Sequence, residues 1–319
     1  MTKETERTHF AIFSGSWVDL DKLDFSSLNL QFFNLKNDEV KKKIEEVEVR
    51  APRIEHLFKG ILKENGDSDR LQILLPIDFT KKVSENDIYF VQNILLLIFP
   101  SDITLHYLFH FELNQNKINL QSHTSFPFRS TGIYNMYDNY LVYHDRELEN
   151  INLFIPILVE RLPKIKYAQS AFYSYTSSFF QNFKTMEYLN LCIALESIVS
   201  GNTELNYRIR RNTSILLTSE VEFAKNIFKN IGKIYTLRSK IVHSGKYKGE
   251  KIYEYLPYLR NVVSRLITEV ISHNIENLDE LNQILTEKGF GDNKSISENY
   301  VHYSLSSSVS SNALVTELE

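Results

Sequence analysis

The sequence predicts an α+β protein of two domains. A mixed, β-rich domain covers residues 1–146, an all-α helical bundle covers residues 147–290, and a Ser-rich tail covers residues 291–319. Three observations lead to this reading. Residues 1–145 hold short aromatic and β-branched runs bounded by polar turns, such as RLQILLPIDF and ITLHYLFHFEL, the pattern of strands. From about Glu147 the apolar residues recur with a period of 3.6, the pattern of amphipathic helices. Glycine and proline are scarce, 10 and 7 of 319 residues against 18 Tyr and 21 Phe, which favours regular elements over long linkers.

In the first domain NQNKIN, between FHFEL and LQSHTSF, reads as a hairpin turn. Two segments read as helices: NDEVKKKIEEVEVR, and SENDIYFVQNILLLIF with Ser84 as its N-cap. The strands suit a curved sheet or a sandwich, and their order is not set by pattern alone. The second domain opens with helix NINLFIPILVERL, then the aromatic-rich KYAQSAFYSYTSSFFQNF, then KTMEYLNLCIALESIVSG, closed by Gly201. TELNYRIRRNTSILL follows with Thr203 as cap. The long SEVEFAKNIFKNIGKIYTLRSKIVHSG has Ser219 and Glu222 as a capping box and Gly245 just past its end. KIYEYLPYLRNVVSRLITEVISHN is the last, with a kink expected at Pro257. Short connections imply antiparallel neighbours in a bundle. Residues 291–319 are expected to be a mobile tail or a partner-binding strip.

Charge divides along the same line. Residues 1–150 hold 17 Lys and Arg against 23 Asp and Glu, and residues 151–295 hold 19 against 14. The acidic half is a poor surface for nucleic acid, and the basic half suits one. The lone Cys192 lies among apolar neighbours and reads as a core residue,. A single cysteine fits a reducing compartment. MTKETERTHF lacks the basic region and apolar run of a signal peptide, and the most apolar window, IYFVQNILLLIFP, is too short to span a bilayer. The expected location is the cytoplasm, with no membrane contact.

The segment YTLRSKIVHSG carries the chemistry. Residues five apart on a helix differ by about 140° in azimuth and about 7.5 Å in rise, so Arg238 and His243 do not share a face. One copy makes a poor site, whereas two copies across a two-fold axis would interleave two arginines and two histidines around one phosphate. The negative end of the helix dipole favours a cation where His243 stands. Arg238 offers a planar, permanently charged fork for phosphate oxygens. These are the parts of metal-free RNA cleavage: a histidine to move the 2′-OH or leaving-group proton, and arginines to stabilise the phosphorane. The products would be a 2′,3′-cyclic phosphate and a 5′-hydroxyl. The plain alternative is a basic helix end with a solvated histidine.

The run ALESIVSG, then ELNYRIRRNTSILL, then the helix ending YTLRSKIVHSG resembles, over about residues 150–275, the Apea-like branch of the HEPN superfamily. These are helical bundles whose R-x4-6-H motif closes a long helix. The resemblance implies that Arg238 and His243 are a ribonuclease pair, that no cofactor is needed, and that the enzyme is a homodimer. It also implies a place in prokaryotic antiphage defence or a toxin-like response. Ser239, where many active relatives carry Asn, Asp or His, can bond a phosphate or orient His243. The N-terminal domain would then sense a phage trigger or regulatory protein. The alternative is a non-catalytic RNA- or protein-binding module in which the pair is silent; a third reading, a structural dimerisation subunit of a larger complex, predicts Arg238 consumed in a buried salt bridge.

Supporting residues have two readings each. Glu196 either orients Arg238 or an imidazole, or pairs structurally with Arg208 or Arg211. Arg208 and Arg211, three apart on one face, either touch RNA or form ion pairs. Lys240, Lys246, Lys248 and Lys251 either track a phosphate backbone or form a solvated helix end. Ile241, Ile252 and Tyr255 are candidates for apolar dimer contact. His106 and His110, four apart, could ligate zinc, but no third ligand has suitable spacing, so no metal is expected. Trp17 and YNMYDNYLVYHD read as core aromatics.

Overall fold

The computed structural model describes residues 6–14, 20–34, 72–78, 81–100, 103–114, 117–126, 145–199, 204–245 and 247–289. The chain divides into two compact units between Leu148 and Glu149. The fold is α+β: an antiparallel sheet at the N-terminus followed by a mostly helical remainder. No helix among the described residues is long and apolar enough to cross a membrane. The expected helix at 37–50, Trp17, the aromatic run before Asp145, Gly201, Thr203, Lys246 and the tail lie outside the described residues.

In the first unit β1 (Glu6–Ser14), β2 (Leu30–Asn34), β3 (Gln72–Pro76), β4 (Thr104–Asn114) and β5 (Lys117–Ser125) form one sheet in the order β2-β3-β1-β4-β5. All the neighbours are antiparallel. The central β1 is buried without alternation from Thr8 to Phe13, as a strand covered on both faces must be. Phe10 stacks between Phe109 and Phe111 of β4, with centroids 4.6 and 4.5 Å away. β5 is an edge strand, and its polar Ser122–Ser125 stretch is exposed, which suits an unpaired edge. The expected hairpin is tight: β4 and β5 pair to Asn114 and Lys117. α1 (Glu85–Ile98) packs on β1. Ser84 caps it as predicted, through a reciprocal box in which Asp87 N–H donates to Ser84 Oγ at 3.2 Å and Ser84 N–H donates to the Asp87 carboxylate at 2.8 Å,.

His106 on β4 is half-buried, and burial lowers its pKa,. A base with a depressed native pKa contributes stability that is complete above its unfolded value of about 6.5 and is lost as pH falls through the native value. The melting temperature should therefore drop less between pH 7 and pH 5 in His106→Gln than in the wild type. Equal drops would show that His106 does not couple to folding.

The second unit contains α2 from Glu149 onward (Asp145–Arg161), α3 (Lys166–Ser178), α4 (Lys184–Val199), α5 (Leu205–Leu217), α6 (Val221–Ser244), α7 (Gly249–Ser272) and α8 (Leu278–Gly289). α7 is the core: every residue from Val262 to Ile271 is buried, and α3, α4, α5 and α6 all contact it. The helix runs on through Pro257, which has no N–H to donate to the carbonyl four residues before it,. Three of its charged residues are buried. Arg260 pairs with Glu187 of α4, the two side chains being 5% and 2% exposed, and Arg265 pairs with Glu269 one turn on. Arg161 caps the far end of α7, donating to the carbonyls of Ile271 and Ser272 at 3.0 and 2.7 Å,.

One local expectation fails. The Ser219–Glu222 capping box does not form: α6 starts at Val221, its cap Glu220 makes no side-chain cap bond, and Glu222 pairs with Lys225 at 2.7 Å. Thr218 Oγ1 accepts the Glu220 N–H at 3.1 Å, so the turn begins one residue late and Glu222 falls short of the reciprocal position. The helix read as the last, α7, is followed by a further one, α8. Its start is marked by Asn277, whose Oδ1 accepts the Glu280 N–H at 2.9 Å,.

Candidate active site

The last turns of α6 carry Arg238, Ser239, Lys240 and His243. Gly245 ends the helix in the left-handed region at φ 62°, its N–H bonded to Lys240 O at 3.0 Å. This is the predicted terminal glycine, needed because a side chain at that φ is strained.

Glu196, in the last turns of α4, meets Arg238: Nε stands 3.1 Å from Oε1. The Tyr235 hydroxyl, one turn before Arg238 on α6, donates to the same carboxylate oxygen. Burial, reinforced by that carboxylate, pushes the Tyr235 pKa up, so the phenol remains a donor,. Glu196 therefore contacts Arg238, the arginine named in its first reading. The alternative pairing with Arg208 or Arg211 is not what holds it. The Arg238 and Glu196 side chains are 23% and 21% exposed, so the pair is neither sealed in the core nor fully solvated. Cys192, one turn before Glu196, is buried as predicted, and burial pushes its thiol pKa up, away from nucleophilic chemistry,.

His243 and Ser239 are exposed. His243 stands seven residues after Thr236, a spacing that returns a helix to within about 20° of the same face. That face borders a groove of about 890 Å³ between α5, α6 and the start of α7. Arg210, Lys229, Lys233, Lys240, Lys248 and Lys251 line it, with no carboxylate among the lining residues. Such a groove attracts a polyanion. Arg238 and His243 are not in its lining. Arg238 faces Glu196, and His243 continues the lysine face one turn beyond Lys240.

The other expected residues are placed unevenly. Lys240, Lys248 and Lys251 join the groove. Arg208 is half-buried and outside it. Arg211 is tied to α8: Nη2 donates to Leu285 O at 3.4 Å and Nη1 to Asn212 Oδ1 at 3.3 Å. It is a tie between helices instead of a groove residue. Arg210, between Arg208 and Arg211 in sequence, takes that place. Its Nε donates to Phe228 O at 3.1 Å and its guanidinium lies 3.9 Å over the Phe228 ring,. Gly232 permits this approach, since a Cβ there would sit 2.8 Å from Arg210 Nε. Lys229, Lys233 and Lys240 were legible as one face of α6 from their spacing. Of the residues named for apolar dimer contact, Ile252 and Tyr255 are buried within the chain and Ile241 is half-buried. Val242, Tyr247 and Tyr253 are exposed apolar side chains nearby in sequence, at 49%, 37% and 60%.

Comparison of the chain with protein-family models, curated proteins and solved structures finds no match.

Proposed function

We propose that the second unit is a HEPN-type, metal-independent endoribonuclease acting as a homodimer, with Arg238 and His243 as its catalytic pair. The observation that carries the reading is the end of α6. Arg238 pairs with Glu196, which also accepts from the Tyr235 hydroxyl, and exposed His243 extends a face whose lysines line a groove with no carboxylate among its lining residues, Glu254 pairing with Lys251 from outside that lining. RNA would lie along that groove with its phosphates on Lys240, Lys248 and Arg210. His243 would take the 2′-OH proton or protonate the leaving 5′-oxygen, and Arg238 would stabilise the phosphorane charge. Antiphage defence or a toxin-like response, with a regulatory partner or trigger at the first unit, is the role that fits such an activity.

The test is incubation of purified protein with RNA, followed by analysis of product ends. A 2′,3′-cyclic phosphate with a 5′-hydroxyl supports the mechanism, and a 3′-hydroxyl with a 5′-phosphate overturns it. The azimuths of Arg238 and His243 lead to a second expected result. An equimolar mixture of Arg238→Ala and His243→Ala chains recovers cleavage over either alone if one intact pair across a two-fold suffices, and stays inactive if the site needs both pairs. A wild-type chain that is monomeric while cleaving removes the composite site.

The second reading is a non-catalytic HEPN module that binds RNA or protein. The pairing of Arg238 with Glu196 favours it, because part of the arginine's charge is already compensated. RNA binding without any cleavage would select it.

A further inference from the structure

The first unit holds a cluster that sequence spacing did not reveal. His9 of β1 and His110 of β4 are direct cross-strand partners, with rings edge to face at 5.1 Å. Glu85, the first residue of α1, reaches both: its Oε1 lies 3.7 Å from His9 Nε2 and 3.3 Å from His110 Nδ1. One ligand atom from each residue lies within 4.8 Å of the others. The expectation that His110 would lack a third ligand considered His106 as its partner, four residues away on its own strand. The sheet register and the start of α1 supply different companions.

We propose that His9, Glu85 and His110 form a binding site for a divalent transition-metal ion of the zinc class. The tautomer of His9 is the first argument. Its Nδ1 lies 2.8 Å from Val83 O. A carbonyl can only accept, so Nδ1 carries the proton and a neutral ring turns the lone pair of Nε2 toward the carboxylate. Two acceptors facing each other repel unless a cation lies between them. His110 is held from its other side, with Nε2 3.1 Å from the Thr124 hydroxyl, which can donate to it or accept from it, and Nδ1 3.3 Å from Glu85 Oε1. A histidine whose second nitrogen is held by a carbonyl or hydroxyl is the usual oriented metal ligand. Separations of 3.3 and 3.7 Å also suit donors at about 2.0–2.2 Å from one tetrahedral centre. Two imidazoles and a carboxylate favour zinc and its neighbours over magnesium or calcium.

Local structure fixes the site. His9 is 7% exposed, His110 15% and Glu85 48% at the side chain, so the imidazoles are held while the carboxylate side admits the ion. Val83–Ser84–Glu85 supplies both the carbonyl that orients His9 and the carboxylate that faces it, and the Ser84–Asp87 box pins that turn. Three protein ligands leave one tetrahedral position for water.

The test uses the untagged full chain, stripped with chelator and returned to chelator-free buffer. Zinc is titrated in competition with a chromophoric chelator, and cobalt(II) is added separately as a spectroscopic probe. The expected result is one zinc per chain, with a tetrahedral cobalt d–d band. Affinity falls by about 100-fold or more in Glu85→Gln and in His110→Gln, beyond the 10–100-fold typical of losing an outer partner. Zinc should also raise the melting temperature of the wild type and not of Glu85→Gln. Glu85 is exposed enough that its variant should fold, as circular dichroism would verify. Absence of zinc binding at micromolar concentration, or wild-type affinity in folded Glu85→Gln, overturns the proposal and leaves a proton as the shared cation. These readouts are independent of RNA cleavage, so the metal site and the nuclease reading stand or fall separately.

Discussion

His243→Ala should lower RNA cleavage by about 10²–10⁴-fold, the range of a positioned general acid or base, while leaving the melting temperature within about 2 °C. The side chain is exposed at the end of α6, and surface substitutions away from caps and buried groups change stability by no more than about 0.5 kcal/mol. RNA affinity should be nearly unchanged, because the groove cations stand on other residues. Single-turnover cleavage, electrophoretic binding and thermal melting separate the three quantities. A folded variant that cleaves at the wild-type rate removes His243 from the chemistry. Loss of binding together with cleavage would make it a contact instead.

The second large effect is on stability. Glu187→Ala should destabilise the helical unit by about 3–5 kcal/mol, because it leaves Arg260 charged and buried without its carboxylate. At about 2–4 °C per kcal/mol for a unit of this size, the melting temperature falls by roughly 6–20 °C. Lys184, 2.9 Å from the same carboxylate and more exposed, can turn to water when it is removed, so the cost belongs to Arg260. A double substitution, Glu187→Met with Arg260→Met, should recover most of the loss, since two apolar chains of similar volume remove both charges at once. Thermal unfolding of the two variants decides the matter. A Glu187→Ala chain within 1 °C of wild type would mean that water reaches Arg260.

The helices were legible because each buries a stripe, and a stripe has a period. α6 and α7 were read close to their observed ends, and Gly245 marked one end by a conformation that few residues tolerate,. The start of α6 was misread because Ser219 and Glu222 have the right spacing for a box, while Thr218 competes for the same turn. Strand order was not legible: β1 and β3 are buried on both faces, which erases the alternation that registers a strand. The same reason hid the His9, Glu85 and His110 cluster, since cross-strand partners are set by register and not by spacing. In the helical unit Arg238, His243 and Lys240 were readable as a local motif. The choice of Arg238 as the partner of Glu196, and of Arg210 over Arg211 for the groove, depends on the azimuths at which α4, α5 and α6 pack.

The contact made by Glu196 reaches further than the residue it touches. A helix is a stiff screw, in which rotation at one turn is rotation at every turn. Glu196 grips α6 at two points of one side, the Tyr235 hydroxyl and the Arg238 guanidinium. It thereby sets the rotational phase of the segment that follows, including Lys240 and His243. A slip of one residue would swing both by about 100°, carrying the lysine face away from α5 and α7. The carboxylate thus acts as the pawl of a ratchet, fixing by its grip on one side of the screw which residues the opposite side presents.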